Sequence, residues 1–405
     1  MNKLPNSWEE KYIEEVFEIR KNYTNARKDL DNNSNISYLH YGDIHKYYQH
    51  KLDCKNISLP KISENKLSKD INKLELVKNG DLIVVDVSED YKGICSSVEV
   101  KNLSYKLVSG LHTLLLRDKG NYFADGYKGY IFYNHNVHKE CCKVATGISV
   151  YGINRKNLKK IKIPIPPLDE QKRIASALSK IDAYLENTIK LIEEKERFKR
   201  GIAKKLLTCK EGENIPEARF KGFEDEWEET QILEFVNNNI IKIEKGKSIT
   251  KSKIEEGDIP VIAGGKTPPY YHNKYNYNFP CITISASGSA GYVWFHDYKI
   301  WASDCYVIYT DNKRYNIKFL YHYLKNIQDL IYYLQVGGVQ KHVYAKDLIK
   351  LNIPNITIEE QEKIGGYLSL LDAEIDNLKK QKELIKEMKI GAMQKLLSGE
   401  VRLLE

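Results

Sequence analysis

Apolar residues recur in alternating steps of four and three along two stretches of the chain. The first carries Ile174, Leu178, Ile181, Leu185, Ile192, Ile202 and Leu206, the second Ile364, Leu368, Leu371, Ile375, Leu378, Ile385 and Leu396. That period draws one apolar stripe along each of two long helices and gives them a coiled-coil seam. The heptad positions Lys195, Lys199, Lys382 and Lys389 are polar, so the seam is expected to prefer one register and refuse others. Pro166, Pro167 and Asp169 before the first stretch, and Thr357, Glu359 and Glu360 before the second, are helix-start signals. Each helix is expected to run for about 38 residues, roughly 55–60 Å at 1.5 Å per residue.

Elsewhere the period changes. "DLIVVDV", "SVEV" and "HTLLLR" read as strands in the first half, as do "IPVIA", "CITISAS", "GYVWF" and "CYVIYT" in the second. Shorter helical stretches such as "IKFLYHYLKNIQDLIYYL" are mixed among them, which predicts α+β domains. The stretch "TCKEGENIPEARFKGFEDE", Thr208 to Glu226, is rich in glycine and charge and reads as a linker between the halves.

The two helical stretches are copies of each other. Ile163–Cys209 aligns with Ile353–Gly399 at a constant offset of 190, without a gap and with 17 identities in 47 pairs. Among the pairs are Pro164/Pro354, Glu170/Glu360, Gln171/Gln361, Asp182/Asp372 and Gly201/Gly391. The preceding "GINRKNLKKIKIPIP" and "HVYAKDLIKLNIPNI" keep the offset, and "SWEE" at Ser7 and "EWEE" at Glu226 open each half. The expected order is therefore globular domain, helix, globular domain, helix. The helices most simply pack antiparallel on each other, which would make the molecule pseudo-two-fold.

Composition narrows the partner. With 63 Lys+Arg against 55 Asp+Glu the formal charge is +8, which leans toward a polyanion. No run approaches the roughly 18 apolar residues of a membrane span, and the opening residues lack an apolar signal core, so a cytoplasmic protein is expected. Seven cysteines without a CxxC pair fit free thiols in a reducing compartment.

Several fragments imitate catalytic motifs. "AGGKT" at Ala263 has Pro260 where a phosphate loop needs its first glycine, and Pro268–Pro269 where its helix must begin. "TPPYY" at Thr267 lacks the asparagine that amino-methyltransferases place before the two prolines. Asp81 or Asp86 with Glu99 and Lys101 has the residue types of a Mg²⁺ nuclease, although ordinary strands alternate in the same way. His135, His138, Cys141 and Cys142 are metal-ligand types without finger spacing.

The segments "IPIPPLDEQKRIASALSKID" and "IPNITIEEQEKIGGYLSLLD", each followed by a long helix ending in "KKLLT" or "QKLLS", resemble the two repeated regions of the specificity (S) subunit of type I restriction-modification systems. The second copy departs where Asn355, Ile356 and Thr357 replace the proline-rich run of the first. The resemblance implies a first target recognition domain over residues 1–157, a first spacer helix over 158–210, a second recognition domain over 211–347 with the linker 208–226, and a second spacer helix over 348–405. It implies a chain with no active site and no bound cofactor, reading a split, asymmetric site in double-stranded DNA. Two methyltransferase (M) subunits would dock on the helices and bring S-adenosylmethionine to methylate adenine. Restriction (R) subunits would add translocation and cleavage driven by ATP, with Mg. Two heads on a rigid rod would meet the duplex about one turn apart, roughly 34–36 Å.

On that reading lysines and arginines lie on phosphates while polar and aromatic side chains reach base edges. The candidates are Arg27, Lys28, Tyr41, His45, Lys46 and Lys128 in the first half, and Lys247, Ser248, Lys251, Lys266, Tyr270, His272 and Ser287 in the second. Glu170, Gln171, Glu360 and Gln361, duplicated outside the apolar seam, are the candidate partner-binding residues on the outer helix faces. The competing classes are a stand-alone Mg-dependent nuclease resting on Asp81, Glu99 and Lys101, and a coiled-coil scaffold without DNA function.

Overall fold

The computed structural model describes residues 4–31, 33–47, 50–55, 57–67 and 74–404. It divides into two compact units, Met1–Asn187 with Lys382–Glu405, and Thr188–Gln381. Each unit therefore holds one head, the first part of its own long helix and the last part of the other.

In the first unit a five-stranded sheet runs in the order Phe17–Arg20, Thr113–Asp118, Leu82–Val85, Ser97–Lys101, His50–Asp53. Its strands pair antiparallel except for the last pair, which is parallel. Leu82–Val85 is buried along its whole length, which is why "LIVV" reads as a continuous apolar run rather than an alternation. The expected strand "DLIVVDV" breaks at Asp86. There the Asp86 carbonyl accepts from the Ile153 amide at 2.8 Å, and Val87–Ser88 leaves to pair with Tyr151–Gly152. A three-stranded sheet of Lys61–Ile62, Ile36–Leu39 and Leu107–Ser109 completes the head.

The second unit has a four-stranded antiparallel sheet, Ile241–Lys245, Cys305–Thr310, Cys281–Ser285 and Val293–His296. Beside it lies a three-stranded sheet of Tyr270–His272, Ile259–Ile262 and Trp301–Ala302. The apolar stretch expected as one helix is two, Ile317–Asn326 and Gln328–Tyr333. At the break the Gln328 side chain donates to the Gly291 carbonyl and accepts from the Val293 amide.

Both heads join their helices in the same way. Glu9–Tyr12 pairs antiparallel with Lys162–Ile165, and Glu228–Gln231 with Asn352–Asn355. Each pairing carries a buried tryptophan, Trp8 or Trp227, to the start of a long helix. The helices span Leu168–Leu207 and Ile358–Ser398, beginning directly after Pro167 and Thr357, with the signal acids Asp169, Glu359 and Glu360 in their first turns. Within each unit they are antiparallel. In the second unit Lys195 and Lys199 meet Glu374 and Asp372, one number rising as the other falls, and Glu196 meets Lys379 beside them. In the first, Asp182 meets Lys389 at 2.7 Å. The expected seam residues are all buried or half-buried, and the polar heptad positions Lys195, Lys199 and Lys389 fix the register through these ion pairs.

The stretch from Thr208 to Glu226 is more than a linker. Ala218 donates to the Lys205 carbonyl and Trp227 to that of Asn214, while Arg219 reaches Glu360. No helix among the described residues is long and apolar enough to cross a membrane.

Candidate nucleic-acid interface

In the first head, Arg27 and Lys28 are exposed in the turn Arg27–Asp29. The Arg27 guanidinium lies 2.7 Å from Asp43, itself buried at the start of the helix Tyr41–Tyr47. His45 and Lys46 are exposed on that helix. A His45 ring nitrogen donates to the Val87 carbonyl at 3.2 Å, and Lys46 lies over the Tyr47 ring. The half-buried Tyr41 packs edge-on against His45 and His112. Five of the six expected residues thus gather on or beside one helix.

Lys128 is the sixth, and here the expectation is corrected. Its side chain is buried, with the ammonium 3.7 Å from the Glu99 carboxylate. The 3-10 turn Lys128–Tyr133 carries it inward, and an ammonium that is itself buried, unlike the exposed Arg27 guanidinium, does not reach a phosphate.

In the second head three loops converge on the segment Ala302–Cys305. Gly246 donates to the Cys305 carbonyl and Lys247 to that of Ala302. Gly264 lies so close to the loop after Cys281–Ser285 that an added Cβ would sit 2.6 Å from the Ser287 carbonyl oxygen, and the Ser289 amide donates to Gly264 at 2.6 Å. The Ser287 hydroxyl donates to Asp304, which also holds Lys245 at 3.1 Å. Burial alone would raise the Asp304 pKa. The Ser287 bond and Lys245 more than offset it, holding the carboxyl below its ordinary value. Lys247, Ser248, Lys251, Lys266 and Tyr270 are exposed around this junction, Lys251 lying over Tyr270 and Lys266 over Tyr292. His272 is corrected: it is buried and bonded through Nδ1 to the Glu255 backbone, with its ring edge-on to Trp301. It shapes the head and has no face toward a ligand. Lys245, which sequence reasoning missed, faces the junction because alternate residues of its strand point to one side.

The candidate partner-binding residues also lie elsewhere than expected. Glu170, Gln171, Glu360 and Gln361 are all buried. Gln171 accepts from the Ala124 amide and donates to the carbonyls of Tyr122 and Pro166. Gln361 accepts from the Asn316 amide and donates to the Ile356 carbonyl. Each glutamine latches a loop of its head onto the first turn of a long helix. Glu170 accepts from Trp8 at 2.9 Å and from Arg402 at 2.5 and 2.7 Å. Glu360 accepts from Trp227 at 3.4 Å and from Arg219 at 2.8 Å twice. The duplication of these residues reflects an identical joint, not an outward surface.

The carboxylates of the nuclease reading do not converge. Asp81 takes a two-point bond from Arg117 at 2.9 and 2.6 Å, while Glu99 accepts from the Gly126 and Gly129 amides. His138 and Cys142 face each other one helical turn apart, whereas Cys141 points into the core. Among the described residues no three His, Cys, Asp or Glu side chains are grouped as metal ligands.

Relatives share this organisation. The family model described as "Type I restriction modification DNA specificity domain" matches twice, over residues 5–194 and 224–387. The chain is 30% identical over 420 residues to a putative type I restriction enzyme specificity subunit, MjaX, of Methanocaldococcus jannaschii, covering 99% of this chain and 95% of that one. It is 25% identical to the MjaVIII specificity subunit of the same organism, covering 84% and 83%. In fold it is similar to the crystal structure of a type I S subunit from M. genitalium, with TM-score 0.61, 18% identity and 98% and 97% of the two chains covered. The two heads with their paired helices and the double family match place this chain in the type I restriction-modification DNA specificity family, as a non-catalytic specificity subunit.

Proposed function

We propose that the chain reads a bipartite, asymmetric sequence in double-stranded DNA, one part with each head, and that its helices dock two methyltransferase subunits. Those subunits bring S-adenosylmethionine, and restriction subunits joined through them use ATP and Mg. The observation that carries this reading is the double family match on a chain duplicated at an offset of 190. The buried free thiols Cys54, Cys95, Cys141, Cys281 and Cys305 support work in the cytoplasm.

The exposed residues Arg27, Lys28, His45, Lys46, Lys247, Ser248, Lys251, Lys266 and Tyr270, with the half-buried Tyr41 and Ser287, form the proposed DNA contacts. Phosphate contacts release counterions, so log affinity falls with log salt in proportion to their number. Lys247→Ala or Lys266→Ala is expected to weaken duplex binding uniformly and reduce the salt slope by about 1. Equilibrium binding at several salt concentrations measures it, and an unchanged slope in both variants argues against these lysines. The function itself is tested by mapping adenine methylation in the host genome with and without this gene. Loss of a split, asymmetric motif is expected.

For docking, the helices offer apolar rather than polar residues. Phe198 and Met388, equivalent under the repeat, are 52% and 50% exposed. Aromatic residues and methionine are favoured at interface cores. Phe198→Glu/Met388→Glu is expected to weaken methyltransferase assembly by roughly 100-fold or more while leaving the melting temperature unchanged. Titration of labelled specificity subunit with its partner reads this directly, and wild-type affinity in the double variant would remove these residues from the interface.

A further inference from the structure

The repeat continues upstream of the strands that lead into the helices, as a small hairpin in each head. Thr146 and Gly152 exchange both backbone hydrogen bonds, at 2.9 and 2.8 Å, and Val336 and His342 do the same at 2.8 and 2.9 Å. The offset is again 190. Each turn opens on a glycine with positive φ, Gly147 at 136° and Gly337 at 117°. A Cβ at these positions would lie 1.8 Å from the Val150 carbonyl oxygen and 2.3 Å from that of Gln340. Glycine is required there, and the turn it permits is narrow.

At the tip each hairpin holds an aliphatic side chain fully in water. Ile148 is 93% exposed and Val339, one place later in its turn, is 107% exposed. The rest of the two sequences differs, yet the outward aliphatic residue is present in both. The surroundings suit a polyanion. From residue 146 to 160 the chain has Arg155, Lys156, Lys159 and Lys160 and no carboxylate. From 336 to 350 it has Lys341, Lys346 and Lys350 against one acid, Asp347, paired with Lys350. Each hairpin also adjoins the candidate interface of its own head. Gly152 pairs with Val87, whose carbonyl accepts from His45. Val343 donates to the Ala286 carbonyl, next to Ser287.

We propose that these hairpins are apolar-tipped fingers that enter a groove of the duplex, Ile148 and Val339 packing on base edges or into a partly opened base step. Cations at the base of each finger sit at phosphates, and the aliphatic tip reaches past them. Apolar side chains used this way lower the cost of deforming the sequence they enter and thereby help select it. The inference rests on the reading of the heads as DNA readers.

The test uses the full-length protein, with Ile148→Ser and Val339→Ser, on a labelled duplex carrying the sequence whose methylation the gene controls. Both substitutions are in solvent, and unchanged melting temperatures confirm intact heads. Each is expected to weaken binding to the target about tenfold without changing the salt slope, because no cation is lost. Binding within twofold of wild type, while Lys247→Ala weakens it, would overturn the fingers and leave the heads as readers. Wild-type protein with no duplex binding would overturn both. Normal DNA binding with loss of methyltransferase subunits would make the tips protein contacts and would also overturn the proposal.

Discussion

Arg402→Ala is expected to destabilise the unit that contains the chain ends by about 3–5 kcal/mol, the usual cost of leaving a buried carboxylate without its cation. Glu170 is 1% exposed, and Arg402 supplies a two-point bond to it that the Trp8 indole alone cannot replace. Burial pushes the Glu170 pKa up, yet the bonds from Arg402 and Trp8 bring it below the ordinary value, so the native state holds a charged carboxylate. Arg219→Ala is expected to act similarly on the other unit through Glu360, 2% exposed. Arg402 also donates to Ser7 at 2.9 Å, so the substitution loosens the N-terminal strand pairing as well. Urea unfolding measures the loss. The double variant Glu170→Gln/Arg402→Ala is expected to regain a large part of it, because a neutral amide still accepts from Trp8 without leaving a buried charge. A loss below about 1 kcal/mol for Arg402→Ala would mean that the pair behaves as a surface ion pair.

This joint shows how far the sequence can be read. Helix starts and seam were legible because proline, acids and a four-three period act locally, and the repeat showed that Glu170 and Glu360 share a role. Their arginines were not legible. Arg402 lies just beyond the second helix and Arg219 twelve residues beyond the first, so comparing the chain with itself does not pair them. Lys128 and His272 have the look of loop contacts, and only the path of the chain shows that one meets Glu99 and the other the Glu255 backbone. The second interface is legible as loops but not as a site. Lys247, Lys266 and Ser287 are brought together by contacts between positions far apart in the chain, Gly246 with Cys305, Lys247 with Ala302 and Gly264 with Ser289, and no local pattern encodes those.

The stability of the second unit is expected to fall by about 3 kcal/mol between pH 6.5 and pH 5, the slope for each of two histidines rising from half of about 1.4 kcal/mol per pH unit to nearly all of it. His296 is 0% exposed, with Nε2 2.8 Å from the Thr283 hydroxyl, and His322 is 3% exposed, with Nε2 3.1 Å from the Ser369 hydroxyl. Burial pushes both pKa values down to about 3, with Lys199 and Lys318 adding to the effect at His322. The folded protein therefore keeps both rings neutral when the unfolded chain, at the ordinary value of 6.5, takes up protons. Their stabilisation is complete above pH 6.5 and is lost as pH falls from there toward about 3. Asp182 acts over a different window. Burial raises its pKa, but His50 and Lys389 outweigh this and hold it at about 2, so its contribution is lost only below about pH 3.8 and leaves the range above pH 5 untouched. Thermal melts at pH 7.5 and 5.0 read the difference, and His296→Gln/His322→Gln is expected to flatten it by removing the groups that titrate. If the double variant lost as much stability as wild type over the same range, the acid sensitivity would belong to other groups.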